Sequence, residues 1–237
     1  MIELSRLGPV WTVTLNRPDK ANALTLDMLN RLDHLFAEAQ DADDLRVLVV
    51  TGAGGRVFCA GADLGEARDA ASITTNPVWE RMSNRLANLP CLTIAALNGT
   101  LAGGGFALAL ACDLRIATPE AKFFYPVLKN GFLPQPSDVQ RMTALIGPSR
   151  TRLILLAGQK LTAAEALAIG LTDRIVPLEA MQDEITALSD AARNGQAHVL
   201  TAIKRLGEPH LTEDRRHDCY ASVYQNDMAA RARLKQG

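Results

Sequence analysis

The sequence is short of net charge. Its 25 lysines and arginines stand against 26 acidic residues, leaving a formal charge of −1 over 237 residues. That balance excludes a bulk attraction for nucleic acid or an acidic membrane, and leaves only a local basic patch for a phosphorylated ligand. Cysteine is sparse too. Cys59, Cys91, Cys112 and Cys219 form no CxxC pair and no zinc-ligand spacing, so no metal site is expected. Three of them lie in apolar surroundings and read as small buried hydrophobes of a reducing compartment. Met1 runs directly into Ile2-Glu3-Leu4, without a basic segment or a cleavage site. The expectation is a cytoplasmic protein with no signal peptide. Histidine offers little: His34 and His198 fall in helical segments, His210 and His217 near the C-terminal end. No serine, histidine and acid fall on facing loops, so a hydrolase triad has no support.

One stretch lacks charge altogether. Cys91 to Cys112 is long enough to span a bilayer. Asn98, Thr100 and four glycines interrupt it, and Asp113 and Arg115 follow at once. A buried strand, turn and helix is the better reading, with no membrane association. With 48% hydrophobic and 22% charged residues, the chain can bury one sizeable core.

Periodicity supplies the elements. Ile2–Leu7 and Val10–Leu15, parted by Gly8-Pro9, predict a hairpin. Thr25 caps a helix carrying Leu26, Leu29, Leu32, Leu35 and Ala39 at three- and four-residue steps. Arg46–Thr51, Leu92–Leu97 and Leu114–Ala117 read as strands. Asn76-Pro77 opens a helix to about Asn88, and Gly105–Cys112 is a short apolar helix. After Pro136 the pattern is nearly all helical: Ser137–Ile146, Arg150–Leu156, then Ala163–Ile169 under a Thr162/Glu165 capping box and ended by Gly170. Arg174–Val176 is a short strand. Helices follow over 178–193, 198–206 and 214–234. The order predicts an α/β core over residues 1–180 and a helical C-terminal region over 181–237.

Two buried strands run into glycine-rich turns, at Thr51-Gly52-Ala53-Gly54-Gly55 and at Asn98-Gly99 through Gly103-Gly104-Gly105. Val57 stands where a dinucleotide fingerprint needs its last glycine, and no Lys-Ser/Thr follows, so neither is a nucleotide-phosphate loop. Taken singly, each serves tight turns and close helix packing. Facing each other, two such turns can hold one oxygen between two backbone amides.

The motifs then become specific. Phe58-Cys59-Ala60-Gly61-Ala62-Asp63-Leu64 and Asn98-Gly99 followed by Gly103-Gly104-Gly105 resemble two signatures of the enoyl-CoA hydratase/isomerase (crotonase) superfamily. Leu15-Asn16-Arg17-Pro18 with Asn22-Ala23-Leu24 is similar to a third. Leu161 to Ala166 with Gly170-Leu171 and Ile175-Val176 is similar to a fourth. The resemblance covers about residues 2 to 206. It implies a crotonase-like ββα spiral core, an acyl-CoA thioester substrate, no cofactor beyond that coenzyme A, and a homotrimer or dimer of trimers. It also implies that the amides of Ala62 and Gly104 polarise the thioester carbonyl. Lys20, Ala21, Ala23, Ala60, Asp63 and Leu64 would line the CoA moiety. Thr100, Ala102, Gly103, Pro126, Val127 and Gln135 complete the implied substrate-binding set. Asp63's carboxylate is expected to order its own loop.

The chain departs from the family where its hydratases carry two glutamates. Ala107 and Val127 stand at those positions, and neither can move a proton. Gln135 occupies a third position used by some relatives and can hydrogen-bond but not act as a base. Asp138 reads as a solvated charge in a first helical turn, and Tyr125 and Lys129 as packing or surface. Cys59 has no basic neighbour and reads as a buried filler, and Trp11, Phe58 and Phe106 as core. Two functions stay open: a thioester-enolate enzyme of this family, or a catalytically silent acyl-CoA-binding or assembly subunit.

Overall fold

A computed structural model gives the architecture and describes residues 1–63, 65, 73–207 and 211–234. Strands β1 (Ile2–Leu7) and β2 (Val10–Leu15) form the antiparallel hairpin, turning at Gly8 with φ +57°. Helix α1 (Leu26–Gln40) follows, its first turn closed by the Thr25 hydroxyl accepting the Met28 N–H at 3.2 Å. Its buried face carries Met28, Leu29, Leu32, Leu35, Phe36 and Ala39, the spacing of one helical stripe.

The chain then repeats one unit three times: a strand in a first sheet, a short strand in a second, then a helix. The first-sheet strands are β3 (Val47–Gly52), β5 (Leu92–Leu97) and β7 (Leu114–Ala117). Their second-sheet successors are β4 (Val57–Cys59), β6 (Thr100–Ala102) and β8 (Lys122–Phe124). The helices are α2 (Val78–Ala87), α3 (Phe106–Ala109) and α4 (Val127–Asn130). Each turn of the spiral adds one parallel strand to each sheet. With β9 (Leu161–Thr162) and β10 (Arg174–Ile175), the sheets run β1-β2-β3-β5-β7-β10 and β4-β6-β8-β9. Among the described residues only β1/β2 and β8/β9 pair antiparallel.

The second sheet is absent from the sequence reading. Its strands are two or three residues long, too short for a two-residue period to register, and two of the four, β4 and β6, sit inside glycine-rich loops. The first sheet is buried on both faces, which explains its near-continuous apolar runs. Leu48, Val50, Ala95 and Leu97 pack into the main core, while Val47, Val49, Ile94, Ala96 and Ile116 meet Met181 and Ile185 of a C-terminal helix.

Helix α5 (Pro136–Leu155) breaks at Gly147, φ +81° and ψ 161°, giving the two halves that Gly147-Pro148 predicts. The Thr162/Glu165 capping box opens α6 (Ala163–Ala168). Then come α7 (Met181–Asn194), α8 (Ala197–Leu206) and α9 (Glu213–Leu234). Lys204 on α8 is anchored to the α/β core by bonds to the Asp113 carboxylate at 2.8 Å and the Cys91 carbonyl at 3.0 Å. The uncharged Cys91–Cys112 run is β5, β6, a 3₁₀ turn and α3. Among the described residues no helix is long and apolar enough to cross a membrane. The short apolar helix expected over Gly105–Cys112 covers only Phe106–Ala109, because Gly103–Gly105 form the 3₁₀ turn that precedes it.

Candidate active site

The first glycine loop is held by two buried asparagines. Asn98 accepts the Gly52 N–H at 3.0 Å and donates to the Gly54 carbonyl at 2.6 Å. Asn22 donates to the carbonyls of Ala53 and Val57, at 3.1 and 2.8 Å. A Cβ on Gly52 would meet the Phe58 oxygen at 2.5 Å and both asparagine side chains within 3 Å, so only glycine fits. Arg17 continues the scaffold, donating to the Ala23 carbonyl and pairing with Asp63 at 2.6 Å. Asp63 also accepts the Gly65 N–H at 2.9 Å. Its carboxylate is thus turned onto its own loop and onto Arg17.

The two loops touch through their glycines. Cβ atoms built on Gly61 and Gly105 would stand 2.6 Å from the Gly104 nitrogen and 2.9 Å from Cys59 Cβ. Leu24 bridges to the first loop, donating to the Gly61 carbonyl at 2.7 Å and accepting from the Asp63 N–H at 2.9 Å. That pattern skips the N–H of Ala62. The N–H of Gly104 lies in the opening turn of a 3₁₀ helix, where no intrahelical acceptor exists. Among the described residues neither amide donates to a protein acceptor.

Both residues line one cavity of about 250 Å³. Of the residues the sequence points to, Ala60, Ala62, Ala102, Gly103 and Gly104 form its loop side, and Pro126, Val127 and Gln135 its opposite wall. Lys20, Ala21 and Ala23 are not in that lining. They lie beside it on the Arg17–Leu24 segment, which is joined to the loop where Ala60 donates to the Ala21 carbonyl at 3.0 Å. Thr100 is also outside the lining, opposite Val57 at the start of β6. Leu64 lies outside the described residues. Ala107 is fully buried in the main core on α3, away from the lining, whereas Val127 faces the cavity.

Sequence reasoning passed over Thr74, Trp79, Phe124, Asn130, Phe132 and Leu133, and took Tyr125 for packing. All line the cavity. An aromatic on the buried stripe of α2 looks like core, and Trp79 gives no other signal. Its indole donates to the Ile73 carbonyl at 2.6 Å, and Gln135 donates to the Thr74 carbonyl at 2.9 Å. These two bonds hold the Ile73–Thr74 backbone over the site.

The chemistry available there is distinctive. Among the described residues the lining carries two unengaged amides and no carboxylate. One acid stands directly behind the lining residue Tyr125. Asp138 is fully buried, not the solvated helix-start charge expected from sequence, and its Oδ2 accepts the Tyr125 hydroxyl at 2.8 Å. Burial pushes its carboxyl up to about 7, against the opposing pull of the Tyr125 bond and of Arg141. Burial and the Asp138 charge hold the Tyr125 phenol well above its ordinary 10. Cys59 is no nucleophile: burial pushes its thiol up to about 12, and its sulfur bonds the Asn22 carbonyl at 3.3 Å.

The enoyl-CoA hydratase/isomerase family model matches residues 7–228. The chain belongs to that family. It is 35% identical over 182 residues to a short-chain-enoyl-CoA hydratase of Clostridium acetobutylicum, covering 75% of this chain and 70% of that one. It is 33% identical over 210 residues to a carnitinyl-CoA dehydratase of Citrobacter koseri, covering 86% and 79%. The crystal structure of an enoyl-CoA hydratase from Bacillus anthracis superposes with a TM-score of 0.87 at 26% identity, covering 98% and 93%. The crotonase fold and the family's lyase/isomerase character are thereby established.

Proposed function

We propose that this protein processes acyl-CoA thioesters through an enolate, with the thioester oxygen held between the N–H groups of Ala62 and Gly104. The observation that carries this reading is that both amides border one cavity and, among the described residues, neither has a protein acceptor. A thioester that gives up an α-proton develops negative charge on its oxygen, and fixed donors aimed there stabilise it without reorganisation. Each such donor is typically worth on the order of 10²–10³-fold in rate. Lys20, Ala21, Ala23 and Ala60, with Asp63 ordering the loop, form the approach for the CoA moiety, and the exposed Lys20 ammonium suits its phosphates. Gln135, Pro126 and Val127 shape the acyl end. With Ala107 and Val127 in place of the hydratase glutamates, water addition is not the reaction this site favours.

A second reading is favoured by the lack of a carboxylate in the lining among the described residues: an acyl-CoA-binding subunit without turnover. Thermal unfolding with free CoA and with crotonyl-CoA tests the shared claim. Tm should rise with CoA and further with the thioester; no shift with either ligand removes both readings. Turnover of any acyl-CoA then separates them. We further propose a homotrimer or dimer of trimers, supported by the exposed Leu128, Leu133 and Leu156, for which light scattering should give three or six chains.

A further inference from the structure

Asp138 is fully buried on α5 and only half satisfied. Oδ2 accepts the Tyr125 hydroxyl, while Oδ1 is buried with no hydrogen-bond partner among the described residues. A carboxylate left this way is expensive in any role that is purely structural. The charged groups around it do not neutralise it by contact. Arg141, one turn further along α5, directs its guanidinium to Ser83 and to the Asn84 carbonyl-type oxygen at 2.7 Å, both on α2. Glu80, also on α2, accepts the Ser137 N–H and hydroxyl at 3.1 and 2.9 Å, adding a second negative charge nearby.

Tyr125 connects this carboxylate to the site. It lines the same cavity as Ala62 and Gly104, and its ring is stacked on Phe106 with centroids 5.2 Å apart and planes 8° from parallel. Phe106 directly follows Gly103–Gly105, so one rigid stack fixes the tyrosine against the glycine turn.

We propose that Tyr125 and Asp138 form a proton relay for the cavity, standing in for the missing glutamates. This rests on the acyl-CoA reading above. The α-carbon of a bound acyl thioester loses its proton to the Tyr125 oxygen as the tyrosine's own proton passes to Oδ2 of Asp138. The C–H electron pair moves into the thioester, and the enolate oxygen accepts from Ala62 and Gly104. Reversal returns a proton to carbon, so nothing is oxidised or reduced. Tyr125 stays neutral throughout, as it must, since burial puts tyrosinate out of reach near neutral pH. Asp138, titrating about 7, accepts at neutral pH and gives the proton back. Tyr125 is the catalytic residue here and Asp138 acts through it. One such relay shuttles a proton on a single face, which suits acyl-CoA substrates with an enolisable α-carbon and proton-transfer reactions rather than hydration.

The test is deuterium uptake at the α-carbon of butyryl-CoA in D₂O, followed by mass spectrometry with the full-length protein, Tyr125→Phe and Asp138→Asn. Butyryl-CoA binding is measured alongside. The wild type should exchange faster than buffer, with a rate that rises through about pH 7 as Asp138 ionises. Each variant should bind butyryl-CoA as wild type does, lose on the order of 10²-fold or more in exchange, and lose the rise with pH. Wild-type binding without exchange overturns the relay and leaves the binding reading intact. Variants that keep the wild-type rate and profile reduce the pair to a packing contact. Absence of butyryl-CoA binding by the wild type removes the acyl-CoA reading itself, and the relay with it. Should a variant fail to fold, the wild-type profile decides: exchange flat between about pH 6 and 8 rules the relay out.

Discussion

Gly61 stands against the amide it helps to aim: a Cβ on Gly61 would lie 2.6 Å from the nitrogen of Gly104, and 3.2 Å from the Ala102 carbonyl oxygen. The residue also holds φ +96°, a conformation that L side chains rarely adopt. One glycine therefore sets both the turn that exposes the Ala62 N–H and its distance from the second loop.

Gly61→Ala should accordingly lower stability by about 1–3 kcal/mol through backbone strain and the contact with Gly104. The sharper consequence is chemical. Thermal shift by crotonyl-CoA should fall toward that of free CoA, because the added gain comes from the thioester carbonyl. A folded Gly61→Ala protein with an undiminished preference for crotonyl-CoA would show that the loops are not the carbonyl site.

Gly104 is constrained from the other side. Its Cβ would meet the Trp79 ring, with Cη2 at 2.8 Å and Cζ3 at 3.0 Å. Gly104→Ala is therefore expected to strain the contact with a fully packed aromatic, at about 1–3 kcal/mol. Trp79→Phe in the same chain removes the outer ring atoms and should recover part of that loss. The Trp79→Phe single variant loses stability, since its bond to Ile73 goes. A double-mutant cycle on Tm measures the coupling, and simple additivity contradicts the contact.

Asp138→Asn should trade function for stability. The folded-state carboxyl is raised from 3.8 to about 7, so between these values the folded protein holds a proton that the unfolded chain releases. Stability conferred on the acid form is complete below about pH 4 and is lost as pH rises through about 7. The asparagine carries no such cost. Its Tm should match wild type near pH 4 and exceed it at pH 8. A gain of ~2 kcal/mol there would appear as roughly 4–8 °C. A wild type whose stability relative to the variant does not fall over that range contradicts a buried, high-pKa Asp138.

Crotonyl-CoA hydration should be very slow or absent, as judged by loss of the conjugated thioester absorbance. The family resemblance implies that Ala107 and Val127 stand in place of two acid/base groups, each typically worth about 10²–10⁴-fold. Val127→Glu places one carboxylate in the cavity wall and should restore double-bond isomerisation before hydration, because one base can carry a proton between carbons. Turnover matching an ordinary hydratase would mean that another group activates water.

The first sheet, its helices and the glycine loops were legible because their causes are local. Strands β3 and β5 are continuous apolar runs, and Gly52, Gly61 and Gly105 occupy places where a side chain has no room. The second sheet was not legible, since its strands are too short to show a period and depend on register across distant segments. Asp138 misled for a related reason. A first-turn acid looks solvated, and the groups that meet it, Tyr125 through a hydrogen bond and Glu80 through its charge, lie 13 and 58 positions away in the chain. Trp79 was passed over because a buried aromatic on a helix stripe carries no signal of its own, yet its ring floors the glycine turn.

The central claim is that the Ala62 and Gly104 amides grip a thioester oxygen. Infrared difference spectroscopy of crotonyl-CoA carrying ¹³C at its carbonyl reads this directly. Bound to the wild type, the labelled band should move to lower frequency than in buffer, and Gly61→Ala should lose most of that displacement. A carbonyl band that stays at its solution position while the thioester is demonstrably bound would contradict the account.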